Sequence, residues 1–76
     1  MNNYYIVRAD FYPDGNIIPL GITDRSGKTM FIDQVMKMER KSFGSDQHEY
    51  IFSCLVNREE IILRFIDNKW ECFNNN

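Results

Sequence analysis

Tyr5, Val7, Ala9 and Phe11 fall on one side of the first apolar run, and Arg8 and Asp10 fall on the other. A period of two marks a half-buried strand, because successive strand side chains point to opposite faces. The alternation predicts a strand over residues 4–12. Pro13-Asp14-Gly15-Asn16 ends it: proline presets φ, and Asp-Gly tolerates the positive φ of a tight hairpin. A second run covers residues 17–23, with Ile18, Leu20 and Ile22 on one face and Pro19 and Gly21 on the other. Pro19 has no N–H to donate, so this strand belongs at a sheet edge or beside a bulge. Asp24-Arg25-Ser26-Gly27 supplies the next turn, with an acidic start and a late glycine,.

Residues 28–41 read in two ways. Phe31, Val35 and Met38 stand at helical spacing among good helix formers, which allows an α+β alternative with residues 29–41 helical,. A helix, however, leaves only about four strands to share the core. Read as strand, the segment breaks its alternation at Asp33-Gln34, where a bulge or bend accounts for it,. The bent strand is the favoured reading. A polar loop around Gly44 follows, over residues 41–47. Residues 48–56 then alternate Tyr50, Phe52, Cys54 and Val56 with Glu49, Ile51, Ser53 and Leu55, apolar enough on both faces for a central strand. Turns at Asn57-Arg58-Glu59-Glu60 and Asp67-Asn68-Lys69 flank a fifth run, residues 61–66, and a closing strand over residues 70–73,. The pattern therefore predicts an all-β fold: a single antiparallel meander of five to six short strands, curled into a small half-open barrel that limits its exposed edges.

At 76 residues the chain has room for one domain, residues 1–76, with an ordered core over about residues 4–73 and polar ends that fray,. Hydrophobic residues make up 43% and aromatic residues 14%, enough for one core. A net charge of −2 offers no global attraction to nucleic acid or anionic lipid,. The first residues lack the basic and apolar regions of a signal peptide. No apolar run approaches the ~20 residues that span a bilayer. The expected location is the cytoplasm, without a membrane partner.

The order Asp14-Gly15, Ile18-Pro19-Leu20, Gly27, Phe31-Ile32-Asp33 with Val35, and a late Trp70 resembles a group of small bacterial β-rich proteins. Their pattern runs D-G, x-P-[IL], D-G, aromatic-x-[IV]-D-x-V and a closing W-F. This chain departs at Ser26-Gly27, at Glu39 where an arginine is expected (Arg40 comes one later), and at Glu71 after the tryptophan. The resemblance implies a β-rich fold with a strand through residues 32–35, and implies no activity.

Candidate chemistry is sparse. His48 is the only histidine and has no Ser, Cys or Asp at a recognisable spacing, so a strand-start surface role outweighs a catalytic base,. Cys54, Cys72 and His48 are too few for a structural zinc, which takes four such ligands. The cysteines read as packed free thiols, or as a disulfide if their strands are neighbours. The Asp-Gly and Ser-Gly steps lack the lysine and helix of a phosphate loop. No cofactor, small-molecule site or enzymatic activity is expected. The candidate binding surface is Lys37, Arg40, Lys41, Phe43 and Tyr12, the one local concentration of cations with two aromatics. Two functions follow. The first is a non-catalytic interaction module that binds a protein partner or a second copy (a homodimer) through a strand edge or aromatic patch. The alternative is a small barrel that grips single-stranded nucleic acid. Trp70 is expected to plug one end of the core.

Overall fold

The computed structural model describes residues 6–44 and 47–74, and its first hairpin follows from turn chemistry. β1 (Ile6–Phe11) and β2 (Ile17–Thr23) pair antiparallel around Pro13-Asp14-Gly15. The Gly15 amide donates to the Tyr12 carbonyl at 3.0 Å, and the Tyr12 amide donates to the Asn16 carbonyl at 2.9 Å. Gly15 closes this three-residue loop at φ 92°, in the left-handed region that costs a Cβ-bearing residue most,. The next loop repeats the device. Gly27 takes φ 89°, and its amide donates to the Asp24 carbonyl at 3.0 Å. The Asp24 carboxylate accepts the Ser26 hydroxyl and the amides of Ser26 and Lys28. Those bonds, the Ser26 hydroxyl's foremost, hold its carboxyl below the ordinary value,.

β3 (Thr29–Phe31) completes a first sheet in the order β1-β2-β3. β4 (Gln34–Phe43), β5 (Gln47–Val56), β6 (Glu59–Ile66) and β7 (Lys69–Asn74) form a second, in the order β4-β5-β6-β7. The chain is all-β, and no helix occurs among the described residues. The expected meander is present but divided in two, with seven strands among the described residues rather than five or six. Residues 29–41 are neither helix nor one bent strand, and no strand runs through residues 32–35. Instead the chain changes sheets there: the Ile32 amide donates to Leu20 of β2 at 3.0 Å, and the next amide, Asp33, donates to Leu55 of β5 at 2.8 Å. The sheets face each other without closing into a barrel. The expectations for residues 1–5, 45–46 and 75–76 lie outside the described residues.

One bulge falls beside Pro19, as expected, and the other falls at Met36 rather than at Asp33-Gln34. Leu20 is the extra residue of β2, between Pro19 opposite Ala9 and Gly21 opposite Arg8. An inserted residue shifts the two-residue phase. Ile18 therefore does not share a face with Ile22: it is exposed, while Ile22 is wholly buried. Pro19 lies in the middle strand of its sheet, beside this bulge, as its missing N–H requires. Met36 is the extra residue of β4, between Val35 opposite Cys54 and Lys37 opposite Ser53.

The inner face of the second sheet is built in cross-strand rows. One row is Met38, Phe52, Leu63 and Cys72, and the next is Arg40, Tyr50, Phe65 and Trp70. Phe52, Leu63, Cys54, Val56, Ile61 and Cys72 form the buried core with Ile22 of the opposing sheet. Trp70 is half-buried against Phe52 and Phe65, with ring centroids 5.8 and 4.7 Å away. That is the plug position. Phe11 reaches across from β1 to meet Phe65 edge-on at 5.5 Å.

Two-residue turns join the last three strands. Asn57 and Arg58 take φ 49° and 66°, and Asp67 and Asn68 take φ 53° and 59°. Paired positive φ values give the turn twist that matches flanking strands. The strands therefore extend further into the expected turn segments than propensity alone suggests.

Candidate functional site

A shortfall in pairing creates an apolar concavity. β3 has three residues and pairs only with residues 21–23 of β2, so residues 17–19 have no strand partner on that side among the described residues. β4 is likewise the edge of its own sheet. A cleft of about 550 Å³ is lined by residues of both stretches. Ile17, Ile18 and Pro19 make one wall, Val35 and Met38 the other, and Phe52 contributes from the inner face of β5. Tyr12, Asp14 and Asn16 border its mouth from the first hairpin loop. Asp14 is engaged there by Asn16, whose backbone amide and side-chain amide donate to its carboxylate at 3.0 and 2.9 Å. An apolar trough with a few polar groups at its rim is the usual form of a binding site.

A polar cluster continues the same face of β4 beyond Met38. Arg40 holds its guanidinium 5.7 Å from the centroid of the Tyr50 ring, a cation–π contact, and lies 3.4 Å from His48 Nε2,. Ser42 pairs with His48 in the hairpin, and its hydroxyl is 3.0 Å from His48 Nδ1. His48 thus has the serine neighbour that linear spacing concealed. The signal was available in the hairpin register across the loop around Gly44, not in any motif.

The five residues singled out from the sequence are divided by the sheet. Lys37 and Lys41 stand on the outer face of β4, opposite Ser53 and Glu49, whereas Arg40 faces inward opposite Tyr50. Phe43 is exposed at the end of β4, opposite Gln47, and Tyr12 sits at the mouth of the cleft. Arg40 and Tyr12 therefore belong to the inner side of the molecule, and Lys37 and Lys41 to the outer. Ile17, Pro19, Val35, Met38 and Phe52, which build the cleft, were not foreseen as a group. The sequence carried no signal for them, because the inserted residues Leu20 and Met36 sit within apolar stretches and shift the phase unseen.

The outer face carries a charge network. Lys37 meets Glu39 at 3.0 Å and holds its carboxyl below the ordinary value. Arg64 bonds Glu71 through Nε at 2.6 Å and through Nη2, and reaches Glu49 at 3.3 Å. Its guanidinium also lies over the Phe73 ring, 5.8 Å from the centroid. Ser53 donates to Glu60 at 2.6 Å. Most of these groups answer one another across adjacent strands.

Cys54 and Cys72 are free and buried. β6 runs between their strands, so the neighbouring-strand condition for a disulfide is not met. Burial pushes both thiols up to about 11, with Cys72 adding to the effect on Cys54,. No group of three or more His, Cys, Asp or Glu side chains converges to hold a metal among the described residues. None of the family models, curated proteins or solved structures compared with this chain matches it.

Proposed function

We propose that this chain is a non-catalytic interaction module that takes an extended protein segment along the strand edges walling the cleft between its sheets. The observation that carries the reading is the pairing shortfall: both walls are backbone edges without a strand partner among the described residues, and the space between them is apolar. An added strand gains main-chain hydrogen bonds from such edges and seats alternate side chains in the trough, the recognition mode called β-augmentation. The exposed apolar residues Ile18, Met36 and Met38 beside these edges add surface that binding removes from water,.

What supports a role without chemistry is the setting of Ser42 and His48. A serine nucleophile needs a base that a third group orients, and donors for an oxyanion. Around this pair the neighbour is the Arg40 guanidinium, itself an exposed group over an aromatic ring. The nucleic-acid reading has thinner support, because the cations that would track phosphates are split between two faces and Lys37 is engaged with Glu39. The free thiols need no oxidising compartment, and the cytoplasm is the location the proposal assigns,.

Display selection of random extended peptides on the wild-type chain, with Ile17→Asp and Met38→Asp as paired counter-targets, tests the reading. Wild type is expected to enrich binders that both variants lose, with the variants still folded by circular dichroism. Equal enrichment on wild type and folded variants sinks it, as does the absence of any enrichment.

A further inference from the structure

We infer that the segment the cleft accepts carries apolar residues at alternate positions and an acidic residue two positions ahead of the first of them. The inference rests on the cleft being a strand-accepting site and adds the chemistry of its occupant. Arg40, Met38 and Val35 stand in successive inner-face rows of β4, because the extra residue at Met36 restores the phase between the last two. A strand added antiparallel to β4 advances two residues per row and meets Arg40 first, then Met38, then Val35. Opposite Met38 and Val35 its side chains enter the apolar trough shared with Phe52 and Ile17. Opposite Arg40 it meets a guanidinium held over Tyr50 and beside His48. A planar guanidinium matches a carboxylate in geometry as well as charge. The resulting pattern is acidic-x-apolar-x-apolar.

Charge selects the same occupant. With Lys37 set against Glu39, β4 keeps the charge of Arg40 on the inner face and of Lys41 on the outer, inside a chain whose net charge is −2. A second copy docking through β4 sets that positive excess against itself. An acidic segment is drawn to it, and the effect is largest at low salt.

Titration of the full 15N-labelled chain with two blocked peptides tests this: Ser-Glu-Thr-Val-Thr-Ile-Ser, and the same peptide with Lys in place of Glu. The acidic peptide is expected to shift the amides of β4 and of residues 17–20, and to bind about three- to tenfold more tightly at low salt. The ratio should shrink at high salt. In Arg40→Glu the preference should reverse while both peptides still shift Ile17 and Met38. Equal affinities with the cleft shifts intact overturn the acidic assignment and leave the cleft reading standing. Absence of cleft shifts with either peptide overturns both. A dimer by sedimentation that blocks the β4 edge assigns the site to a second copy and overturns the inference.

Discussion

The two buried thiols make a testable statement about alkaline stability. In the unfolded chain a cysteine ionises near its ordinary value of 9.0, whereas in the fold Cys54 and Cys72 ionise only at about 11. The folded state therefore holds these protons longer than the unfolded state. The contribution is fully present below pH 9 and is lost as the pH climbs towards 11, because the unfolded chain releases its protons first. At about pH 10 each thiol accounts for a loss of about 1.4 kcal/mol relative to neutral pH, and the pair for about 2.7 kcal/mol. For a domain of this size that is a large share of the total. Urea unfolding of wild type and of Cys54→Ala/Cys72→Ala at about pH 7.5 and about pH 10 isolates the effect from lysine and tyrosine titration. Wild type should lose about 2.7 kcal/mol more than the double variant over that interval. Equal losses in the two proteins would refute the reasoning, since burial could not then be withholding the thiolates.

Arg58→Gly should raise the urea midpoint by the equivalent of about 0.5–1 kcal/mol, because φ 66° strains a side-chain-bearing residue and suits glycine,; a lowered midpoint contradicts the turn assignment. Asp33→Ala removes the carboxylate that accepts the Asn57 amide at 3.1 Å, and should cost about 0.5–1.5 kcal/mol together with faster exchange at Asn57,. Unchanged Asn57 exchange would count against that bond. Arg64→Leu leaves Glu49, 8% exposed, without its guanidinium and should cost about 3 kcal/mol, much of it recovered by the second change Glu49→Gln,. No recovery in the double variant means that Arg64 acts by packing over Phe73 instead.

The sequence was most legible where the controlling chemistry is local. Pro13, Asp14 and Gly15 specify a hairpin loop without help from distant residues, as do Asp24 and Gly27, and both loops are where the pattern put them. The alternation of residues 48–56 likewise marked β5 as a central strand. The crossing at Ile32 and Asp33 was illegible because its partners are remote: Leu20 and Leu55 for the amides, and Asn57 for the carboxylate. A break in alternation was visible there, but a break alone does not distinguish a bulge from a change of sheet. Leu20 and Met36 were hidden for a related reason, since a single inserted residue within an apolar stretch leaves composition unaltered. The cleft depends on all three features and shared their invisibility. Ser42 and His48 became neighbours only once the β4 and β5 register was known.

The crossing at Ile32 and Asp33 also bears on how the chain acquires its structure. Among the described residues every strand pairing joins consecutive strands, so each meander closes only short loops as it forms,. Folding by such short-range steps is fast, and neither sheet has to wait for the other to find its register. Among the described residues the crossing is tied by the Ile32 and Asp33 amides and by the Asp33 carboxylate, and side chains pack between the two halves. Docking of the sheets is then the step that makes the transition cooperative. A substitution that weakens the crossing should leave two hairpin assemblies with native pairing but a slackened angle between them, and its first casualty is the width of the cleft.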